Sequence, residues 1–190
     1  DTLLATVPQT ARGRAHLKDT HGEIVDGSDL IKLAETGLLA PLDAMARTMI
    51  LDSAKRVSVV TAVSPRALID VAYVVYESAR LIRRLAELYG GKPGTLGMWK
   101  LGRRVIAHLA VTGSIAVGDS LVQQLVGHGL AAKLSARLSE GVINGLMTAR
   151  VGIAAMDLVR PLPFNAVKRP GIGDFLSEIA KLPNAKSGSE

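Results

Sequence analysis

SPRALIDVAYVVYESARLIRRLAELYGG, residues 64–91, decides the fold class. Ser64 followed by Pro65 is a helix start signal: a hydroxyl N-cap ahead of a ring whose fixed φ and missing N–H suit the first helical position. After it, Leu68, Ala72, Val75, Ala79, Ile82 and Leu85 recur at steps of four and three, which lays them on one helical face and predicts a buried stripe. Asp70 lies at helical spacing from Arg66, and Glu87 from Arg83 and Arg84, so opposite charges stand side by side on that helix. Gly90-Gly91, then Pro93 and Gly94, end the pattern.

The same reading extends in both directions. Residues 1–27 are mixed and polar, broken by Pro8, Gly13 and the stretch 19–27, and form a polar N-terminal arm or linker with at most one short helix. Ser28 and Asp29 cap a helix to about Leu39, and Pro41 opens the next, which carries Leu42, Met45, Ala46 and Met49 on one side toward Val60. Downstream, helices are expected from Leu96 to Val117, from Ser120 to Val126 behind Asp119, and from Leu130 to Arg160, where Pro161 and Pro163 stop the last. Asp174 sits in the first turn of a closing helix to about Leu182, and residues 183–190 form a disordered tail. No stretch alternates long enough for a sheet, and no period of about 20–50 residues repeats. The expectation is an all-α compact helical bundle of about six to eight helices, a single domain over residues 28–182, with one long Gly/Ala-rich C-terminal helix.

Of 190 residues, 48% are hydrophobic and only 3% aromatic, and mean hydropathy is +0.27. That supports an aliphatic core and is too apolar for a disordered chain. The absence of Cys excludes disulfides, thiolate metal sites and Cys nucleophiles. A chain starting at Asp1 reads as a piece of a longer protein.

The net charge of +6 comes from one place. Arg80, Arg83, Arg84, Lys92, Lys100, Arg103 and Arg104 share their window with a single acid, Glu87, while the rest of the chain is neutral in sum. Such a patch suits nucleic acid, an anionic membrane surface or an acidic partner. With only Tyr89 and Trp99 as aromatic neighbours and no recognition motif, nucleic acid is not expected. Residues 105–117 follow without a charge, and cations ahead of an apolar segment are what the positive-inside rule places on the cytoplasmic side. The expectation is that these seven residues face an anionic membrane surface, with vesicle binding that weakens with salt, or a protein partner; the plainer reading is a solvated basic face.

Gly141, Gly145, Thr148, Gly152 and Ala155 are spaced 4, 3, 4 and 3 apart, giving a helix face with almost no side chains, beside Val142, Leu146, Ala149, Ile153 and Met156. Each helical Gly costs about 1 kcal/mol relative to Ala, which close approach of another helix offsets, in lipid or in water. A homodimer through residues 141–158 is one use of that face. Asp157 and Arg160 are at pairing distance on the same helix; they read as an ion pair closing its end or as a docking point.

Other motifs look chemical. Gly118-Asp119-Ser120-Leu121 spells a lipase and esterase signature, but no His has an Asp three residues before it, and a nucleophile needs a base within reach. His108 and His128 have no close carboxylates or Cys to complete a metal set. Gly90-Gly91-Lys92 lacks the spacing of a phosphate loop, and Gly171-Ile-Gly173 is too short for a dinucleotide fingerprint. No catalytic residue, cofactor or metal is expected.

LMTARVGIAAMDLVRPLPF, residues 146–164, with GIGDF at 171–175, resembles the C-terminal signature of the YcjF family of bacterial inner-membrane proteins (UPF0283), which carries domain of unknown function 697. VSVVTAVSPRALID at 57–70 and ARLIRRLAELYG at 79–90 are similar to the same family, and the match covers roughly residues 30 to 180. The family often has Cys just before the Arg of Arg-Pro-Leu-Pro; here Val159 stands there, so a redox or ligand role of that Cys is not shared. The resemblance implies membrane-spanning helices before this region, a link to envelope stress, and a P-loop GTPase-like protein as partner. It implies no catalytic residue. The function expected is a non-enzymatic protein–protein interaction or regulatory module on the cytoplasmic side of the inner membrane. The alternative is a lipid-interacting protein that inserts the 105–117 region.

Overall fold

A computed structural model describes residues 8–20, 26–63, 67–113 and 136–180. All regular structure among them is helical. A 3-10 turn, Pro8–Thr10, leads into α1 (Ala11–Thr20); then come α2 (Gly27–Ala34), α3 (Ala40–Val63), α4 (Ala67–Leu88), α5 (Thr95–Gly113), α6 (Ala136–Val159) and α7 (Gly173–Ala180). The Ser64-Pro65 start, Arg66, the 119–126 helix, His128 and the 183–190 tail lie outside the described residues.

Helix α6 is the axis, with α3 along most of it and α4, α5 and α7 around the remainder. Leu42, Ala46, Ile50 and Ala54 of α3 meet Leu146, Ala149, Ile153 and Met156 of α6, and Leu81 and Leu85 of α4 complete the core. Phe175, Leu176 and Ile179 of α7 close its lower edge, where Arg47 reaches Asp174 at 3.0 Å.

Helix α2 is capped two residues before Ser28, the position the sequence suggests. Asp26 is the cap, and its carboxylate accepts from the Ser28 N–H at 2.9 Å, because a carboxylate two residues before that amide matches N-cap geometry. Helices α2 and α3 are also continuous through a π segment, Glu35–Leu39. Pro41 has no N–H to donate and its ring would crowd the Gly37 carbonyl in a regular helix; the wider π turn relieves both. The Gly37 carbonyl points at α1, where a Cβ on Gly13 would lie 2.0 Å from it. This backbone crossing, together with the buried Thr10, seats the first helix on the body.

The largest departure is the register of α4. Ile82 and Leu85 are buried, but Ala72, Val75 and Ala79 are exposed, and the inward positions of the first half are Asp70 and Glu77. Periodicity assumes that carboxylates face water. Here Ser53 and Arg56 of α3 supply Glu77 with donors, and the face rotates to meet them. Helix α4 ends at Gly90, whose φ of 87° lets the Gly91 N–H reach the Ala86 carbonyl at 2.7 Å, the six-to-one bond of a glycine C-cap.

Candidate functional site

The small-residue face of α6 lies against α3. A Cβ at Gly141 would sit 2.5 Å from the Ser58 carbonyl, and one at Gly145 1.9 Å from Ser58 Oγ. At Gly152 it would meet Ile50 at 2.7 Å, and Thr148 and Ala155 are fully buried. The face is therefore filled within the chain and does not stand open for a second copy. Glu140–Val159 is also the one described stretch long and apolar enough to cross a membrane, with 56% of it buried inside the bundle. The inserting segment expected at 105–117 falls partly in α5, where Val105 is buried, and partly outside the described residues.

Arg160 pairs elsewhere than expected. Its Nε donates to Asp43 at 3.0 Å and its Nη2 at 2.9 Å, while the same Nη2 reaches Glu35 at 3.2 Å. Nη1 donates to the carbonyls of Leu162 at 2.5 Å and Pro163 at 2.7 Å, and the guanidinium lies 4.0 Å over the Phe164 ring. All three charged side chains are essentially inaccessible. Burial demands a partner for the guanidinium on every side, and the Asp157 carboxylate, nearly one turn earlier, is turned to Arg169 at 2.9 Å and to His108 at 3.5 Å instead.

Backbone N–H groups and Tyr89 complete this cluster. Glu35, turned inward at the start of the π segment, accepts from the backbone N–H groups of Asn165, Ala166 and Val167. Burial pushes its carboxyl pKa up, but those N–H donors and Arg160 outweigh it and hold the value below the ordinary 4.5. Tyr89 donates to Asp43 at 2.6 Å; burial, then the adjoining carboxylate, pushes its phenol well above 10. Burial lowers the Arg160 pKa, and the bonds to Asp43 and Glu35 more than restore it. Arg160 and Glu35 thus fix the 160–167 loop onto α3 and the π segment before it, and Tyr89 ties the end of α4 to the same carboxylate as Arg160, that of Asp43. Glu35, Asp43 and Tyr89 are not marked by any local pattern; the sequence signal is Arg160, a cation inside an apolar helix. Val159 is partly buried against the core, which is a packing role.

The basic patch divides between two helices. On α4, Arg83 is held by Glu87 at 3.0 Å and Arg80 lies 3.7 Å from Glu77; Arg84 is half-buried. Lys92, Lys100, Arg103 and Arg104 are exposed. Helix α5 contains no acidic residue at all. No group of three or more His, Asp or Glu that could hold a metal occurs among the described residues.

A model of a domain of unknown function, DUF697, matches residues 25–184. The chain is 68% identical over 181 residues to a UPF0283 membrane protein of Brucella ovis, and 67% identical to those of Brucella canis and Brucella melitensis biotype 2. Each alignment covers 95% of this chain and 51% of the relative, so the chain spans about half the length of these proteins. No solved structure matches.

Proposed function

The chain belongs to the DUF697 family of UPF0283 membrane proteins, and from that premise we propose that its bundle is a non-enzymatic holding module, stationed on the cytoplasmic side of the inner membrane and engaging a protein partner. The observation that carries this reading is the surface at the joined ends of α3 and α4. Val59 and Val63 on α3, with Val71, Val75 and Tyr76 on α4, are all exposed. Exposed large apolar side chains on two adjoining helices favour a covered state. The inverted register of α4 produces this surface: turning Asp70 and Glu77 inward turns the valines outward. The Arg160 cluster supports the reading from the other side, since its charged groups are occupied in holding the loop.

The partner we propose is a P-loop GTPase-like protein, with the pair acting in envelope stress. Photo-crosslinking tests this in native membranes, using the full-length protein with a photoreactive residue in place of Val75. One discrete adduct containing a P-loop nucleotide-binding protein is the expected result. Adducts no different from those of a photoreactive residue at exposed Thr48 would end the proposal.

A further inference from the structure

Helix α5 turns an unusual face to solvent. Leu96, Trp99, Arg103, Ile106 and Ala110, spaced three and four apart, form one outward stripe, and Lys100, Arg104, Ala107 and Val111 form the stripe beside it. Leu96 is 78% exposed, Trp99 74%, Ile106 69% and Val111 71%. The core takes the opposite side, through Val105 with Met98, Leu101 and Leu109. A helix that buries one apolar face and exposes a second one, studded with cations and free of acids, is built for an environment that is both apolar and negatively charged.

We propose that this outer face of α5 rests on an anionic lipid bilayer, with Trp99, Ile106 and Val111 entering the headgroup region and Lys100, Arg103 and Arg104 meeting lipid phosphates. The inference takes its setting from the membrane-associated reading above but concerns a different surface. Amphipathic helices that lie in the interface combine cations on the flank with Trp and aliphatic residues on the buried side, and Trp favours the headgroup level. A nucleic-acid backbone would satisfy the cations and leave Ile106 and Val111 in water. The charge argument also separates the two halves of the patch. On α4, Arg83 is already paired with Glu87, whereas the α5 cations are within ion-pair distance of no carboxylate among the described residues.

Trp99 is the single tryptophan of the chain, so its fluorescence reports on this face alone. The 190-residue chain would be titrated with vesicles of phosphatidylglycerol and phosphatidylcholine in equal parts, and with phosphatidylcholine alone. The expected result is a blue shift of Trp99 emission with the anionic vesicles only, weakened by salt. The triple variant K100E/R103E/R104E should bind at least tenfold more weakly while keeping its helical circular dichroism, and I106D should reduce the shift. The α4 variant R83E should stay within about twofold of the parent. The proposal fails if Trp99 emission does not move while the protein floats with the vesicles. It also fails if no anionic-vesicle binding occurs, or if R83E weakens binding as much as the triple variant, which would mean a diffuse field rather than this face. None of these outcomes bears on crosslinking at Val75.

Discussion

Near its start, α3 sends Asp43 into a cluster where Arg160, Tyr89 and backbone N–H groups meet every carboxylate oxygen of Asp43 and Glu35. Toward its end, where α3 meets α4 and α6, Ser58 Oγ, Thr61 Oγ1, Asp70 Oδ1 and Glu77 Oε2 are buried without a hydrogen-bond partner among the described residues. The first region spends its polar groups on fixing a loop. The second keeps polar groups inside while valines face out, and it adjoins the surface proposed to hold a partner. Stability and exposed apolar surface are thus placed at opposite ends of one helix, and substitutions at each end should separate them.

The largest effect should come from Arg160→Met. It leaves Asp43 and Glu35 buried and charged without their common partner, a loss of about 3–5 kcal/mol in the range known for broken buried pairs, read by urea denaturation. Arg56→Met, the corresponding change at the other end, should cost about 1–2 kcal/mol, because Glu77 keeps Ser53 as a donor and Arg56 is already 38% exposed. Equal losses at the two sites would erase the contrast.

Next is Gly145→Ala. The added methyl would overlap Ser58 Oγ and lie 2.9 Å from the Ala54 carbonyl. Because backbone must move, the helix gain of about 1 kcal/mol is outweighed, and a net loss of about 2 kcal/mol is expected. Gly102→Ala on α5 meets nothing within 4 Å and should stabilise by about 0.5–1 kcal/mol. Thermal unfolding of the pair reads both signs.

The satisfied cluster also predicts two pH slopes. The Glu35 carboxyl is held below its ordinary 4.5 in the fold, so its contribution is complete above that value and is lost as pH falls through the lower folded one. The Tyr89 phenol is raised from 10.0, so its contribution is complete below pH 10 and declines as pH rises above it. Glu35→Gln should flatten the acid slope. Tyr89→Phe should flatten the alkaline one and cost about 1.5 kcal/mol at neutral pH through the bond lost to a charged acceptor. Unchanged slopes in both variants would assign the pH dependence to other groups.

What was legible follows from range. The all-α class, the stop at Pro161 and the glycine end of α4 are set by neighbours within a turn or two, and the spacing of Gly141, Gly145 and Gly152 shows a close approach without naming α3 as its source. The Arg160 cluster was not legible because its members are 117 and 125 positions apart; Asp157, three positions away, was the nearer candidate and the wrong one. The register of α4 failed for a related reason. Its first half is apolar on nearly all sides, so the face turned inward is chosen by Ser53 and Arg56 of α3, which no periodicity within α4 contains. Pro41 looked like a helix start because the π segment that accommodates it has no sequence mark of its own.

The smallest expected effect is the sharpest test of the contrast. Thr61 is 2% exposed and its hydroxyl oxygen has no partner among the described residues, so Thr61→Val replaces that oxygen with a methyl of nearly the same volume and deprives none of them of a bond. A buried hydroxyl without a partner carries its desolvation cost with no return, and removing it should leave stability unchanged or raise it by up to about 1 kcal/mol. At the other end, Tyr89→Phe also removes one buried hydroxyl, but that one donates to Asp43. Two deletions of the same chemical group, with opposite signs in urea denaturation, would show that the polar atoms at the α3–α4 end serve something other than the stability of this bundle. A loss for Thr61→Val as large as that for Tyr89→Phe would mean that the hydroxyl is bonded in solution, and that the two ends of α3 are built alike.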